Sequence, residues 1–93
     1  MADLPAGRQA RIVSMYYNYI IKLANGQYYK GFTNNINKRL SDHSTGKVLS
    51  TKNYLPFEIV HIEISKNRFQ ARKLEKYFKS GFGREIIKEI TSK

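Results

Sequence analysis

The sequence has no cysteine, and this absence excludes several kinds of site. A chain without thiols forms no disulfide, holds no metal ion on thiolate ligands and has no cysteine nucleophile. Its two histidines are too few to build a structural zinc centre by themselves. Any metal ion that this chain binds is therefore expected to lie on oxygen ligands.

Long apolar runs are also lacking. No stretch approaches the roughly 20 apolar residues that cross a bilayer. The N-terminus, "MADLPAGRQARIVS", has no apolar segment of the kind that marks a secretion signal. We therefore expect a cytoplasmic protein without a membrane partner.

Negative charge is scarce. Seven Asp and Glu stand against 17 Lys and Arg, so the formal net charge is +10 at pH 7. Such an imbalance favours a polyanionic partner, and nucleic acid is the first candidate. The alternative is that the charge serves only solubility.

The residues that are present suffice for one folded domain. The chain has 93 residues, of which 41% are hydrophobic, and this composition is typical of a protein with its own core. Residues 1–14 include Pro5 and Gly7 and show no sustained apolar period, so they are expected to be a flexible tail. The domain is then expected to occupy residues 15–93.

Three segments alternate as strands do. Residues 15–23 predict the first strand, an Asn-Gly pair at 25 and 26 favours a tight hairpin turn, and residues 27–33 predict the second strand. Residues 57–64 predict the third strand. For its buried face the sequence leaves two alternatives: Phe57, Ile59 and His61, or Val60, Ile62 and Ile64.

The first helix is predicted over residues 35–44. Thr33 or Asn34 is expected to cap its start, and Gly46 follows as a stop signal. A loop rich in polar and basic residues then continues to Pro56.

Two more helices are predicted over residues 67–80 and 83–93. Ser65 is expected to cap the second helix and Gly81 to close it. The order of elements predicts an α/β chain of the α+β kind, in which helices flank a three-stranded antiparallel sheet.

Helical geometry places three polar residues near the predicted core. At about 100° per residue, Arg39 and His43 lie together beside the apolar stripe of the first helix. Glu75 lies at the border of the buried face of the second helix. Each residue has an ordinary structural explanation. Glu75 can pair with Lys79 one turn later, and the aliphatic part of Arg39 can pack along the helix surface. His43 can be a capped or packed histidine near a helix C-terminus, where its charge suits the helix dipole.

Taken together, however, these residues resemble the motifs of the GIY-YIG nuclease family. The motifs are "YNY" at 17–19, "YKG" at 29–31, "KRLSDH" with Arg39 and His43, and "ARKLEKYFKSGFGRE" with Glu75. The likeness covers about residues 15–90. It is closest to small stand-alone bacterial proteins similar to the nuclease domain of the excision-repair subunit.

The resemblance implies an endonuclease that hydrolyses phosphodiester bonds in DNA with Mg²⁺ or Mn²⁺. Arg39 matches the catalytic arginine, His43 the histidine one turn later, and Glu75 the metal ligand. Tyr19 and Tyr29 match the motif tyrosines, and which of them acts as the base stays open. A guanidinium beside the scissile phosphate would stabilise the transition state, and a single carboxylate can hold such a metal ion.

A tyrosine with a pKa near 10 is a poor base at neutral pH. Arg39, Lys30 or the metal is therefore expected to lower its pKa. Gly31 is expected to leave room for a close approach by main chain or substrate. Lys30, Lys38, Lys52 and Tyr54 are candidates for further phosphate contacts, and simple solvation is the alternative for the loop residues Lys52 and Tyr54.

The chain departs from the family pattern in four places. Tyr17 and Asn18 stand where the first motif has glycine and isoleucine, and Lys30 replaces the isoleucine of the second motif. No asparagine follows Glu75 where many members carry one.

The function predicted is a metal-dependent DNA endonuclease, with a role in the repair or processing of branched or damaged DNA. The alternative is a catalytically weak nucleic-acid-binding module that positions DNA for a partner. A purely structural interaction protein fits the small size but not the charge. Protein partners and oligomeric state stay open.

Overall fold

The computed structural model describes residues 15–91, and the predicted tail, residues 1–14, lies outside them. The element order is strand, strand, helix, strand, helix, helix. The strands are β1 (Tyr16–Lys22), β2 (Tyr28–Thr33) and β3 (Glu58–Ser65). The helices are α1 (Ile36–Ser44), α2 (Arg68–Lys79) and α3 (Gly81–Thr91), and a short 3₁₀ turn spans Lys52–Tyr54.

The three strands form one antiparallel sheet in the order β2-β1-β3. This arrangement confirms the predicted α+β fold. Gly26 has a φ of +88°, the left-handed conformation that makes glycine favourable in the predicted hairpin turn. The hairpin places Tyr19 of β1 directly opposite Gly31 of β2.

Apolar clusters cover the two faces of β1. On one face, Tyr19, Ile21 and Leu23 pack with residues of α1, and we name this the α1 face. On the other, Ile20 packs with residues of α2 and α3, and we name this the α2 face. The whole stretch 18–21 is buried because helices lie on both sides of the central strand.

The pairing of β3 with β1 contains a bulge. Ile20 pairs with His61, whereas the next residue, Ile21, pairs with Ile59, so Val60 is the extra residue. An extra residue reverses the alternation of side chains beyond it, so both predicted sets for the buried face are wrong. Phe57 packs on the α1 face and Val60 on the α2 face, while three isoleucines are 42–57% exposed. These are Ile59, Ile62 and Ile64.

Asparagines, not the predicted residues, cap α1 and α2. The side chain of Asn35 accepts a hydrogen bond from the Lys38 amide, and Asn67 does the same for the Gln70 amide. The caps predicted at Thr33 or Asn34 and at Ser65 are therefore wrong, since the hydroxyl of Ser65 is buried and donates elsewhere.

The ends of the later helices also differ from the prediction. Gly46, with a φ of +80°, follows α1 as predicted. Gly81 begins α3 instead of closing α2, whose C-cap is Ser80. Residues 92 and 93, the end of the predicted third helix, lie outside the described part of the chain. Among residues 15–91, no helix is long and apolar enough to cross a bilayer.

Candidate active site

A hydrogen-bonded group of side chains surrounds the hydroxyl of Tyr19 on the α1 face. Arg39 Nε donates to Tyr19 Oη at 3.2 Å, and His43 Nε2 lies 2.9 Å from the same oxygen. The ring of Tyr29 lies 6.2 Å from that of Tyr19 and 5.0 Å from that of His43, between centroids. The structure thus brings together all four predicted catalytic residues.

The spacing in α1 explains why Arg39 and His43 meet the same hydroxyl. They lie one turn apart, and the neighbouring Ile36 and Leu40 pack on the Tyr19 cluster. This packing turns the side of the helix that carries Arg39 and His43 toward β1, as the helical geometry predicts.

Gly31 is needed because the ring of Tyr19 lies over it. A Cβ built at Gly31 would lie 2.7 Å from the Tyr19 hydroxyl oxygen and 2.9 Å from the ring carbon that bears it. The close approach expected at Gly31 is therefore made by a side chain of the protein itself. The glycine of the second motif and the last tyrosine of the first motif form one structural unit.

Thr51 completes the group, and the sequence reasoning missed it. Its Oγ1 lies 2.9 Å from His43 Nδ1, and both residues are fully buried. Thr51 belongs to the loop that was predicted from its polar composition alone. The sequence feature that could have pointed to Thr51 is Val48, three positions earlier. This apolar residue is buried and anchors the loop.

The hydrogen bonds assign a direction to each proton. The hydroxyl of Thr51 donates to the Val48 carbonyl at 3.5 Å and so accepts from Nδ1–H of His43. Nε2 of His43 is then the acceptor, and the Tyr19 hydroxyl donates to it while accepting from Arg39. The order of donation is Arg39 to Tyr19 to His43 to Thr51.

Burial sets the protonation states of this group. Burial raises the pKa of Tyr19 above 10.0, although the hydrogen bond from Arg39 works in the opposite direction. Burial, and then the charge of Arg39, lowers the pKa of His43 below 6.5. Tyr19 is therefore protonated and His43 neutral at pH 7. Arg39 acts on the pKa of Tyr19 in the expected direction, but burial outweighs it, and burial also disfavours a charged His43 at the helix terminus.

Lys30 is directed away from this group. It lies between Tyr29 and Gly31 in β2, and successive side chains of a strand point to opposite faces. Burial lowers the pKa of Lys30, and the charges of Arg84 and Lys79 lower it further, which places it near α2 and α3. Lys30 therefore does not act directly on either motif tyrosine.

Glu75 lies on α2, the helix that packs on the other face of the sheet. Its Oε2 is 3.3 Å from Lys79 Nζ, so the ordinary pairing one turn on is confirmed. Its side chain is 23% exposed, in keeping with the predicted border position. No described contact joins Glu75 to the Tyr19 group within residues 15–91.

The donor chemistry of Glu75 suits a hard divalent ion. Mg²⁺ is commonly held by one or two carboxylates, with waters and substrate phosphates completing its coordination. Across the part of the chain that the structure describes, no three or more His, Asp or Glu side chains gather as a metal site. A metal ion at Glu75 would therefore have one protein carboxylate as its ligand, and the substrate and water would supply the others.

The remaining predicted phosphate contacts lie on the surface. Lys38 is exposed and pairs with Asp42 at 3.3 Å, while Lys52 and Tyr54 are exposed on the 3₁₀ turn. They are accessible to DNA, but the structure does not bring them into contact with the Tyr19 group.

Several proteins are similar to this chain in sequence. A UPF0213 protein of Bacillus cereus is 36% identical over 62 residues, which are 66% of this chain and 65% of the relative. The match thus spans just under two thirds of that relative. A UPF0213 protein of Clostridium perfringens is 32% identical over 80 residues, covering 85% of this chain and 86% of its own.

The fold is similar to that of a solved structure, and the sequence matches the model of a known family. The solution NMR structure of a UPF0213 protein from Bacillus halodurans matches with a TM-score of 0.53 and 25% identity, over 83% of this chain and 85% of that one. Residues 15–88 match the model of the GIY-YIG catalytic domain. The chain therefore belongs to the GIY-YIG catalytic domain family.

Proposed function

We propose that the protein is a divalent-metal-dependent endonuclease that hydrolyses phosphodiester bonds in DNA. One observation carries the proposal: the Tyr19 hydroxyl lies between a guanidinium donor, Arg39, and a neutral imidazole acceptor, His43. A hydroxyl held in this way can pass a proton on. This arrangement favours Tyr19 over Tyr29 as the residue that activates water.

The proposed reaction is an attack by water on the scissile phosphorus. As the water oxygen bonds to phosphorus, its proton passes to Tyr19 Oη, and the Tyr19 proton passes to His43 Nε2. The bond from phosphorus to the leaving oxygen breaks, and the leaving oxygen takes a proton from solvent. Because the pKa of Tyr19 is raised, it acts as a relay and not as a resident phenolate. His43 is the final acceptor, and its neutral state makes it available.

Arg39 has two roles in this proposal. Its Nε stabilises negative charge that develops on Tyr19 Oη during proton transfer. Its positive charge also favours the approach of the phosphate and stabilises the transition state. Tyr19 and His43 are buried and Arg39 is partly buried, which strengthens these interactions relative to water.

Glu75 is the residue that would hold Mg²⁺ or Mn²⁺. A bound divalent ion supplies Lewis-acid stabilisation of negative charge on phosphate oxygens. The net charge of +10 and the exposed Lys38, Lys52 and Tyr54 would attract and hold the DNA backbone. A role in repair, and a preference for branched, damaged or single-stranded DNA, belong to the same proposal.

The test is a cleavage assay on plasmid, flap, branched and single-stranded DNA with Mg²⁺, Mn²⁺ or a chelator. We expect metal-dependent cleavage of at least one substrate and a loss of about 10²–10³ in rate for Arg39→Ala. Glu75→Ala should also lose cleavage. Arg72→Gln, on an exposed position of α2, is the matched control. The proposal is wrong if no substrate is cut, or if Arg39→Ala and Glu75→Ala cut as well as the wild type.

The pairing of Glu75 with Lys79 favours a second candidate, a DNA-binding module without cleavage. In that case the protein would bind DNA with an affinity that falls steeply as salt rises, and no metal would produce cleavage. Binding that does not weaken with salt would exclude this candidate.

A further inference from the structure

The α2 face carries a cavity of about 400 Å³ that the reaction proposed above does not use. We propose that this cavity is a nucleotide-binding pocket, in which Lys30 and Arg84 hold a phosphate of a DNA strand and Tyr28 and Ile87 contact its sugar or base. The lining residues come from the β2 end of the hairpin and from α3. They are Gln27, Tyr28, Lys30, Arg84, Ile87 and Lys88.

Two cations of the pocket lack an acidic partner. The described ion pairs within residues 15–91 include neither Lys30 nor Arg84. Both Arg84 and Lys79 lie close enough to Lys30 to lower its pKa, and burial lowers it further. Like charges in a partly buried place repel one another, and a bound phosphate would offset this repulsion. Lys79 already pairs with Glu75, which leaves Lys30 and Arg84 for the ligand.

Two other lining residues of the pocket are hydrophobic, and each lies on the same strand or helix as one of the two cations. Ile87 is 2% exposed, and Tyr28 packs against the cluster that Ile87 forms with Ile20 and Phe78. A hydrophobic lining next to cations suits a ligand with an apolar ring and an anionic group. A nucleotide has both, whereas inorganic phosphate has only the second.

The place of β2 connects this pocket with the Tyr19 group. β2 is an edge strand, and its consecutive residues Tyr29 and Lys30 point to opposite faces. A single strand of DNA that passes over this edge would contact both faces. The inference rests on the proposed function only in that nucleic acid is the ligand, because nucleotide binding is measurable without cleavage.

The test is an NMR titration of the ¹⁵N-labelled protein with dAMP, deoxyadenosine and inorganic phosphate. We expect dAMP to shift the amide signals of residues 27–30 and 84–88, and to bind at least about tenfold more tightly than either fragment. A dAMP affinity equal to that of phosphate would overturn the nucleotide assignment, and shifts confined to the α1 face would overturn the site.

Variants test the two cations directly. The double variant Lys30→Gln with Arg84→Gln should bind dAMP at least about tenfold more weakly than the wild type. Lys66→Gln with Arg72→Gln removes the same charge from exposed positions and should leave dAMP binding unchanged. If both double variants lose affinity equally, the effect is net charge and the proposal is wrong. Arg84→Gln alone, at an exposed position, replaces the double variant if that does not fold.

Binding of a short oligothymidylate tests whether the ligand of the pocket is a DNA strand or a free nucleotide. It should compete with dAMP for the pocket and bind more tightly, because adjacent phosphates add contacts. Weaker binding than dAMP would overturn the assignment to a strand. Failure of the endonuclease proposal shows as absent cleavage, which leaves these binding results unaffected.

Discussion

Within residues 15–91, a polar cluster is buried on each face of the sheet, and the two clusters differ in chemistry. On the α2 face, Asn18 donates to the Ala71 carbonyl at 2.9 Å and accepts from the Ser65 hydroxyl at 2.9 Å. On the α1 face, His43 joins Tyr19 and Thr51 at 2.9 Å each. Asn18 is 1% exposed and His43 0%. Burial and hydrogen bonding are therefore nearly equal in the two clusters.

The difference lies in which groups can change their charge. An amide and a hydroxyl do not titrate near neutral pH, so the Asn18 cluster can only fix β1, β3 and α2 relative to one another. A phenol, an imidazole and a guanidinium can share and transfer a proton. Among residues 15–91, no buried side-chain nitrogen or oxygen lacks a hydrogen-bond partner. A buried polar group whose hydrogen bonds are all made therefore does not indicate function by itself. A hydrogen-bonded chain of ionisable groups does indicate function.

The largest expected effect is that of Tyr19→Phe on cleavage. The change removes one oxygen, which accepts from Arg39 and donates to His43, and so interrupts the proposed proton relay. We expect cleavage to fall by about 10²–10⁴, with an unchanged far-ultraviolet circular dichroism spectrum. The measurement is the single-turnover rate on the best DNA substrate.

Tyr16→Phe is the matched control for this change. Its ring lies 6.2 Å from that of Phe32, at the other end of β1 from the hairpin turn, and cleavage should be unaffected. If Tyr29→Phe abolishes cleavage and Tyr19→Phe does not, the roles assigned to the two tyrosines are wrong.

Next in size is the effect of Asn18→Ala on stability. Removal of the amide leaves the Ser65 hydroxyl without its acceptor in a buried place, so the free energy of unfolding should fall by about 1–3 kcal/mol. Urea denaturation measures this change, with Asn53→Ala, on the exposed 3₁₀ turn, as control. The folded variant should cleave DNA at the wild-type rate. A selective loss of cleavage in fully folded protein would contradict the contrast between the clusters.

The sequence predicts the α1 face well because short-range rules determine it. The Asn-Gly turn sets the hairpin register that places Tyr19 opposite Gly31, and helical periodicity directs Arg39 and His43 to the same side. These relations extend over one turn of helix or one hairpin. They follow from local geometry, and the family motifs follow the same spacing.

Features that depend on tertiary contacts were not predicted. The extra residue in β3 follows from its pairing with β1, which no pattern within β3 reveals. Thr51 reaches His43 only because the loop around it folds back on Val48. The sequence also does not show which face of the sheet each helix covers. Glu75 could therefore be placed at the border of a buried face, but not relative to the Tyr19 group.

Thr51→Val tests whether the hydroxyl orients His43. The two side chains have similar shapes, but valine cannot accept a hydrogen bond from Nδ1–H of His43. The tautomer in which Nε2 accepts from Tyr19 is then no longer stabilised by that hydrogen bond. We expect cleavage to fall by about tenfold, which corresponds to roughly one hydrogen bond. The ¹⁵N chemical shifts of the His43 ring should also change toward a mixture of tautomers. Thr51→Ser keeps a hydroxyl and should restore both quantities, whereas an unchanged tautomer in Thr51→Val would exclude this role.

The smallest expected effect is the contribution of His43 to the pH dependence of stability. The groups that act on its pKa are Arg39, which lowers it, and Asp42, which raises it, while burial has the largest effect and lowers it. In the unfolded chain His43 titrates near 6.5. As pH falls below this value the unfolded state binds a proton that the folded state excludes, so the free energy of unfolding falls until the lowered pKa is reached.

The slope for one proton cannot exceed about 1.4 kcal/mol per pH unit. Replacement by His43→Gln should flatten the stability profile below pH 6.5, measured by urea denaturation, while His61→Gln, on β3, should leave the contribution of His43 to that profile unchanged. If His43→Gln leaves the slope unchanged, burial does not hold the imidazole neutral. The proposed difference in chemistry between the clusters on the two faces is then wrong.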